Sequence, residues 1–133
     1  MIGILLMTNE KIGNALLSAA KSTFNTLPLP AIALEVCNDC DKDALLLQAQ
    51  QVIKQLDSGD GVLILTDLFG STASNLAFSL LENEKHDVQV ISGVNLPMLI
   101  RTFNYPDLNL QQAAQKATTG GQDGIVNKIP VYE

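Results

Sequence analysis

Asp67 stands just past the short apolar run Val62–Leu65, and Gly70-Ser71-Thr72 follows where a helical pattern begins. A carboxylate at the end of a buried strand can orient a neighbouring group. The unsatisfied N–H groups of a helix start suit an anion such as phosphate. Two other polar clusters interrupt apolar runs in the same way: Thr8-Asn9-Glu10 after Ile2–Met7, and Ser92-Gly93-Val94-Asn95 after Val88–Ile91. Each of these residues also has a purely structural use. Ser71 or Thr72 can be no more than an N-cap, Asp67 a loop acid, and Asn9 an N-cap for the first helix. No Gly-Lys-Ser/Thr follows the first strand and no dinucleotide-type glycine triplet occurs, so neither nucleotide-binding loop is present.

Cys37 and Cys40 have redox-motif spacing, but Asp39, Asp41 and Asp43 surround them with negative charge, the opposite of what an activated thiolate needs. Zinc would need two further ligands, and the chain offers no other Cys and a single distant His. The expectation is a loop with two small thiols and no metal site, its Asn and Asp residues capping the second helix. The one histidine, His86, falls in the polar turn Glu82-Asn83-Glu84-Lys85-His86-Asp87 ahead of the fourth strand. That turn lies at the other end of the sheet from the three polar clusters, and suits a solvated histidine rather than a catalytic one.

The clusters can meet only if the strands that carry them lie side by side. Ile2–Met7, Ala31–Val36, Val62–Leu65 and Val88–Ile91 are short aliphatic runs bounded by turn formers, and each predicts a buried strand. Between them Ile12, Leu16, Ala20 and Phe24 recur at helical spacing, as do Leu45, Ala49, Val52, Ile53 and Leu56, and then Ala73, Leu76, Ala77 and Leu80. Leu96–Phe103 and Leu110–Ala117 predict two further helices. Ile125–Val131, after Thr118-Thr119-Gly120-Gly121, predicts a late strand that Pro130 confines to a sheet edge. The order β-α-β-α-β-α-β-α-α-β predicts one α/β domain over residues 1–133. It is a flavodoxin-like, mostly parallel sheet with helices on both faces and an antiparallel C-terminal edge strand. With a 2-1-3-4 strand order, the carboxyl ends of the first and third strands flank the crevice where such sheets bind ligands.

Composition narrows the partners. The 133 residues are 47% hydrophobic and 17% charged, which excludes a disordered tail. Eight Lys and Arg against fourteen Asp and Glu give a net charge of −6 with no basic run, unlike a nucleic-acid or anionic-membrane surface. Met1 leads directly into an apolar run too short to span a membrane and without the basic start of a signal peptide, so a cytoplasmic protein is expected.

Three segments together resemble the enzyme IIA component of the mannose-type bacterial phosphotransferase system. They are Ile2–Glu10, Thr66-Asp67-Leu68-Phe69-Gly70-Ser71-Thr72-Ala73-Ser74-Asn75, and Gly93-Val94-Asn95-Leu96-Pro97-Met98-Leu99. The resemblance runs along nearly the whole chain. It implies a cytoplasmic carrier that takes a phosphoryl group from the phosphocarrier HPr onto a histidine and passes it to a IIB component. It also implies a homodimer that exchanges its last strand, for which Gly120-Gly121, ahead of the apolar tail, can act as the hinge. No cofactor is expected, and membrane contact only through partner proteins. By the same resemblance Asp67 is the carboxylate that holds the histidine ring, and Ser71 and Thr72 belong to the phosphate cradle. Ser71 replaces a Gly and Ala73 a Pro that the family often carries, both tolerable where a loop enters a helix.

One departure changes the chemistry: the family's phosphorylated histidine corresponds to Asn9. A neutral imidazole attacks with the lone pair of one nitrogen while the other N–H is held by a carboxylate. An amide nitrogen has its lone pair delocalised and cannot take that part, although Asn9 can hydrogen-bond to Asp67 and mimic one edge of the ring. Two readings follow: a carrier whose acceptor has been replaced and which is inactive in transfer, and a non-enzymatic regulatory or interaction module on the same fold. A thiol-redox protein using Cys37 and Cys40 is a third.

Overall fold

β1 (Gly3–Asn9) is buried along all but its last residue, because it lies inside the sheet and its side chains feed two cores. Ile4 and Leu6 enter one core; Leu5 and Met7 enter the other. The computed structural model describes residues 1–82 and 85–131. With β2 (Ala31–Val36), β3 (Val62–Thr66) and β4 (Val88–Ser92), β1 forms a four-stranded sheet of order β2-β1-β3-β4, in which every pair is parallel. Parallel strands need crossovers, and the crossover helices cover both faces, so the inner strands read as continuous apolar runs.

Helices α1 (Ile12–Phe24), α4 (Leu96–Asn104) and α5 (Leu110–Asp123) pack on one face, where Leu17, Ala20, Leu99, Phe103, Ala114 and Ala117 meet Ile4, Leu6, Leu63 and Leu65. Helices α2 (Lys42–Leu56) and α3 (Thr72–Ser79), with the 3-10 turn Leu80–Glu82, cover the other face through Leu45, Ala49, Ile53, Leu56, Leu76, Ala77 and Leu80. The strand order and the layered α/β architecture are those expected from the sequence.

The C-terminal expectation needs correction. Among the described residues 125–131 form no strand, and the sheet has no antiparallel member. The expected hinge is helical: α5 continues past Ala117 through Thr118-Thr119-Gly120-Gly121, and both glycines are buried. A Cβ on Gly120 would collide with Arg101 of α4, and one on Gly121 would lie 2.9 Å from Met98 Cε. These glycines therefore permit close contact between α4 and α5 instead of bending the chain. The tail beyond α5 is apolar and exposed, with Ile125 at 74% and Val131 at 92% of full exposure.

The cysteines also depart from expectation. Cys37 and Cys40 are joined as a disulfide across a Cα–Cα distance of 5.2 Å, within the ordinary range for such a bridge. The capping expected from this segment is present, since Asp41 accepts the N–H groups of Asp43 and Ala44 at the start of α2.

Candidate functional site

Asp67 leaves the end of β3 and its backbone is held from β4. The Asp67 carbonyl accepts the Gly93 N–H at 2.6 Å, and the Thr66 carbonyl accepts the Val94 N–H at 3.0 Å. The chain then turns tightly, the Ser71 N–H reaching the Leu68 carbonyl at 2.9 Å. Gly70 makes this turn possible at φ +93°, a backbone state that L side chains rarely adopt. Ser71 is the N-cap of α3, its hydroxyl accepting the Ser74 N–H at 3.1 Å. Thr72 and Ala73, in the first turn, have N–H groups with no acceptor among the described residues.

β1 lies beside β3, Met7 pairing with Thr66, so the chain end at Asn9 comes to rest next to Asp67. Asp67 Oδ2 accepts the Asn9 backbone N–H at 2.8 Å and its side-chain amide at 3.0 Å. Oδ1 accepts the Leu68 N–H at 2.7 Å and the Ser71 hydroxyl at 2.8 Å. One carboxylate thus ties together two segments separated by 58 residues in sequence. The donating hydrogen of Ser71 is committed to Asp67, so Ser71 braces the carboxylate as well as capping the helix. Asn9 is not the cap of α1. Lys11 holds that place without a side-chain bond, and the buried Thr8 hydroxyl takes the Gly13 N–H at 2.7 Å.

Asn95, from the third polar cluster, has structural duties: it caps α4 through the Met98 N–H at 2.9 Å and donates to the Gly121 carbonyl at 3.1 Å. Sequence reasoning missed two hydroxyls, Thr66 Oγ1 and Ser74 Oγ, which are buried without a partner among the described residues. Their signal was a Thr closing an apolar strand and a Ser in the first turn of a helix with a buried face. It also passed over Leu68 and Phe69, which stand at the crevice with 71% and 74% exposure. Such side chains present an apolar surface beside the polar centre.

Burial by itself would raise the Asp67 pKa. The Asn9 N–H, the Ser71 hydroxyl, the Leu68 N–H and the Asn9 amide outweigh it, and the carboxyl titrates below its ordinary range. A depressed carboxylate pKa stabilises the fold at pH values above the unfolded pKa, and that stability is lost as the pH falls through the folded value. Asp57 acts in the same direction, chiefly through its bond to His86 and then the Gly59 N–H. Thermal melting should therefore lose stability below about pH 4. Asp67→Asn should show a shallower acid dependence, with part of it surviving through Asp57.

The remaining candidates lie apart from Asn9 and Asp67 or beside them. His86 is at the opposite end of the sheet, ahead of β4, as expected. It is not a solvated residue, however: Nδ1 lies 2.6 Å from Asp57 Oδ2 and the ring is largely covered. Asn83 and Glu84 of the same turn lie outside the described residues. Cys37 follows the end of β2 and so shares the crevice edge with Asn9, whose strand partner is Val36. Among the described residues no group of three or more His, Cys, Asp or Glu could hold a metal ion. Nor is any helix among them long and apolar enough to cross a membrane.

A family model named EIIA-man, described as PTS system fructose IIA component, matches residues 3–118. The mannose-specific EIIAB component of the phosphotransferase system of Escherichia coli (strain K12) is 29% identical over 85 residues, 62% of this chain and 26% of that protein. The match thus spans about a quarter of that relative's length. The crystal structure of phosphotransferase system component EIIA from Streptococcus agalactiae superposes with a TM-score of 0.85 at 22% identity, covering 96% of this chain and 97% of that one. The mannose/sorbose specific IIA subunit from Enterococcus faecalis gives a TM-score of 0.83 at 22% identity over 99% and 97% of the two chains. At these identities the two structures speak to the fold alone.

Proposed function

The chain belongs to the EIIA-man family of phosphotransferase-system IIA components, and from that premise we propose that it is a IIA phosphoryl-carrier domain whose acceptor position is filled by Asn9. In this reading Asp67 is the orienting carboxylate. The first-turn N–H groups of α3, with Thr72 and the bracing Ser71, form the phosphate cradle. HPr and a IIB component are the cytoplasmic partners, docking over the crevice. The observation that carries the reading is the double hydrogen bond between Asn9 and Asp67 Oδ2. It puts a side-chain N–H where a ring N–H would be held, and leaves no nucleophile there. Phosphorylated HPr should therefore bind the chain and keep its phosphate, as followed by phosphorus NMR of the mixture. Transfer of the phosphate to the unchanged chain would refute the inactive-carrier reading.

Asn9 equally favours the second reading, a regulatory or interaction module that works by contact alone. The two part at HPr: absence of any binding supports a module with other partners.

The exposed tail supports a homodimer. Among the described residues β4 is an edge strand with one neighbour, and Ile125, Val126, Ile129 and Val131 are apolar and uncovered in the single chain. An open edge beside an unpaired apolar segment invites strand exchange with a second copy. The point of departure is Gly124, where α5 ends, in place of Gly120-Gly121. Light scattering at micromolar concentration should give the mass of a dimer; a monomer would exclude exchange.

A further inference from the structure

The disulfide lies beside the candidate site, yet nothing proposed for that site uses it. It closes a loop of only three residues' separation, so it constrains the unfolded chain less than a bridge between distant segments would. The loop keeps other supports without it, namely the Cys40 N–H to the Cys37 carbonyl at 3.3 Å and the Asp41 cap of α2. Two apolar cores already hold the sheet. A bridge that the fold does not need can open and close without unfolding the protein. Both cysteines are part-exposed, so an external thiol or disulfide can reach them.

The position of the bridge gives its opening a consequence. Cys37 directly follows Val36, whose carbonyl accepts the Glu10 N–H at 3.1 Å. Glu10 is held at φ +51°, in the left-handed region, and the residue before it is Asn9, bonded to Asp67. One hydrogen bond therefore links the residue before the disulfide to the residue after Asn9. We infer that Cys37 and Cys40 form a reversible thiol–disulfide site whose state sets the backbone at Asn9 through Val36 and Glu10. Closure proceeds by exchange with an external disulfide: one cysteine thiolate attacks it, releasing one thiol and leaving a mixed disulfide. The second cysteine displaces the other thiol, so two electrons pass to the external disulfide, which is reduced. Asp39, Asp41 and Asp43, against the single Lys42 within that segment of the sequence, favour a cationic disulfide over an anionic one.

The test equilibrates the full chain with cystamine and cysteamine, or with oxidised and reduced glutathione. Alkylatable thiols are counted by mass, and amide NMR spectra are recorded in both states. The expected result is reversible interconversion between no free thiol and both free. Cystamine should react faster than oxidised glutathione, and the difference should shrink with added salt. The Glu10 backbone and Asn9 side-chain amide signals should move between states, while Gly59, at the far end of the sheet, stays fixed. Cys37→Ser/Cys40→Ser should give the reduced positions and no response to oxidant. Thiols that do not interconvert, a response in the double variant, or interconversion that leaves Asn9 and Glu10 unmoved would each overturn the inference. None of these readouts requires phosphoryl transfer, so the inference stands or falls separately from the carrier reading.

Discussion

Replacing Asn9 with His is expected to let the chain take phosphate from HPr, which with Asn9 in place it is expected not to do. The site already supplies what an imidazole at this position needs. Asp67 Oδ2 accepts a side-chain N–H from position 9 at 3.0 Å, so a ring N–H directed there would fix the tautomer. The other ring nitrogen would then keep its lone pair for in-line attack on the phosphoryl group. In the proposed reading the first-turn N–H groups of α3 would receive the phosphate oxygens. The asparagine amide meets the hydrogen-bonding requirement and fails the nucleophilic one, so the change should be all-or-none. It should be detected as an acid-labile, base-stable label.

The second large effect is expected from Asp67→Ala in the Asn9→His background. In the proposed reading the carboxylate orients and stabilises the ring and does not itself carry phosphate. Its loss should slow transfer by about 10²–10⁴-fold, the usual worth of such support, while leaving HPr binding in place. Stopped or quenched transfer measured beside a binding isotherm separates the two quantities. Ser71→Ala and Thr72→Ala should cost less in rate, because the backbone N–H groups of the helix start remain. Ser71→Ala should also cost about 1 kcal/mol in stability as a lost cap. An equal collapse of rate in all three variants would mean that the phosphate is not held where the helix start places it.

Much of this site is legible in the amino-acid sequence. Three polar clusters closing three apolar runs predicted that they meet at one sheet edge, and the order β2-β1-β3-β4 brings together the two that close β1 and β3. That Asn9 faces Asp67 instead of capping α1 followed only from the resemblance; local pattern favours the cap. The cap failed because Thr8 is buried and takes the Gly13 N–H first, while Glu10 turns the chain at positive φ. Gly120-Gly121 reads as a break by propensity, yet tertiary contact overrides propensity where only a glycine lets Arg101 and Met98 approach. The Cys37–Cys40 bridge escaped because acidic neighbours argue against a reactive thiolate but say nothing about proximity. His86 was placed at the correct end of the sheet. Its bond to Asp57 spans 29 residues, a pairing that no local pattern in the turn encodes.

In the proposed reading position 9, held by Asp67, is the phosphoryl-acceptor position and carries no nucleophile in this chain. The direct measurement compares the unchanged residue and Asn9→His, both in a His86→Gln background that removes the one other imidazole. Each is incubated with phosphorylated HPr, and the label is followed on the chain after base and after acid. No label is expected with Asn9, and a base-stable, acid-labile label is expected with His at position 9. Label on the Asn9 chain, or none on a folded Asn9→His chain, would contradict it.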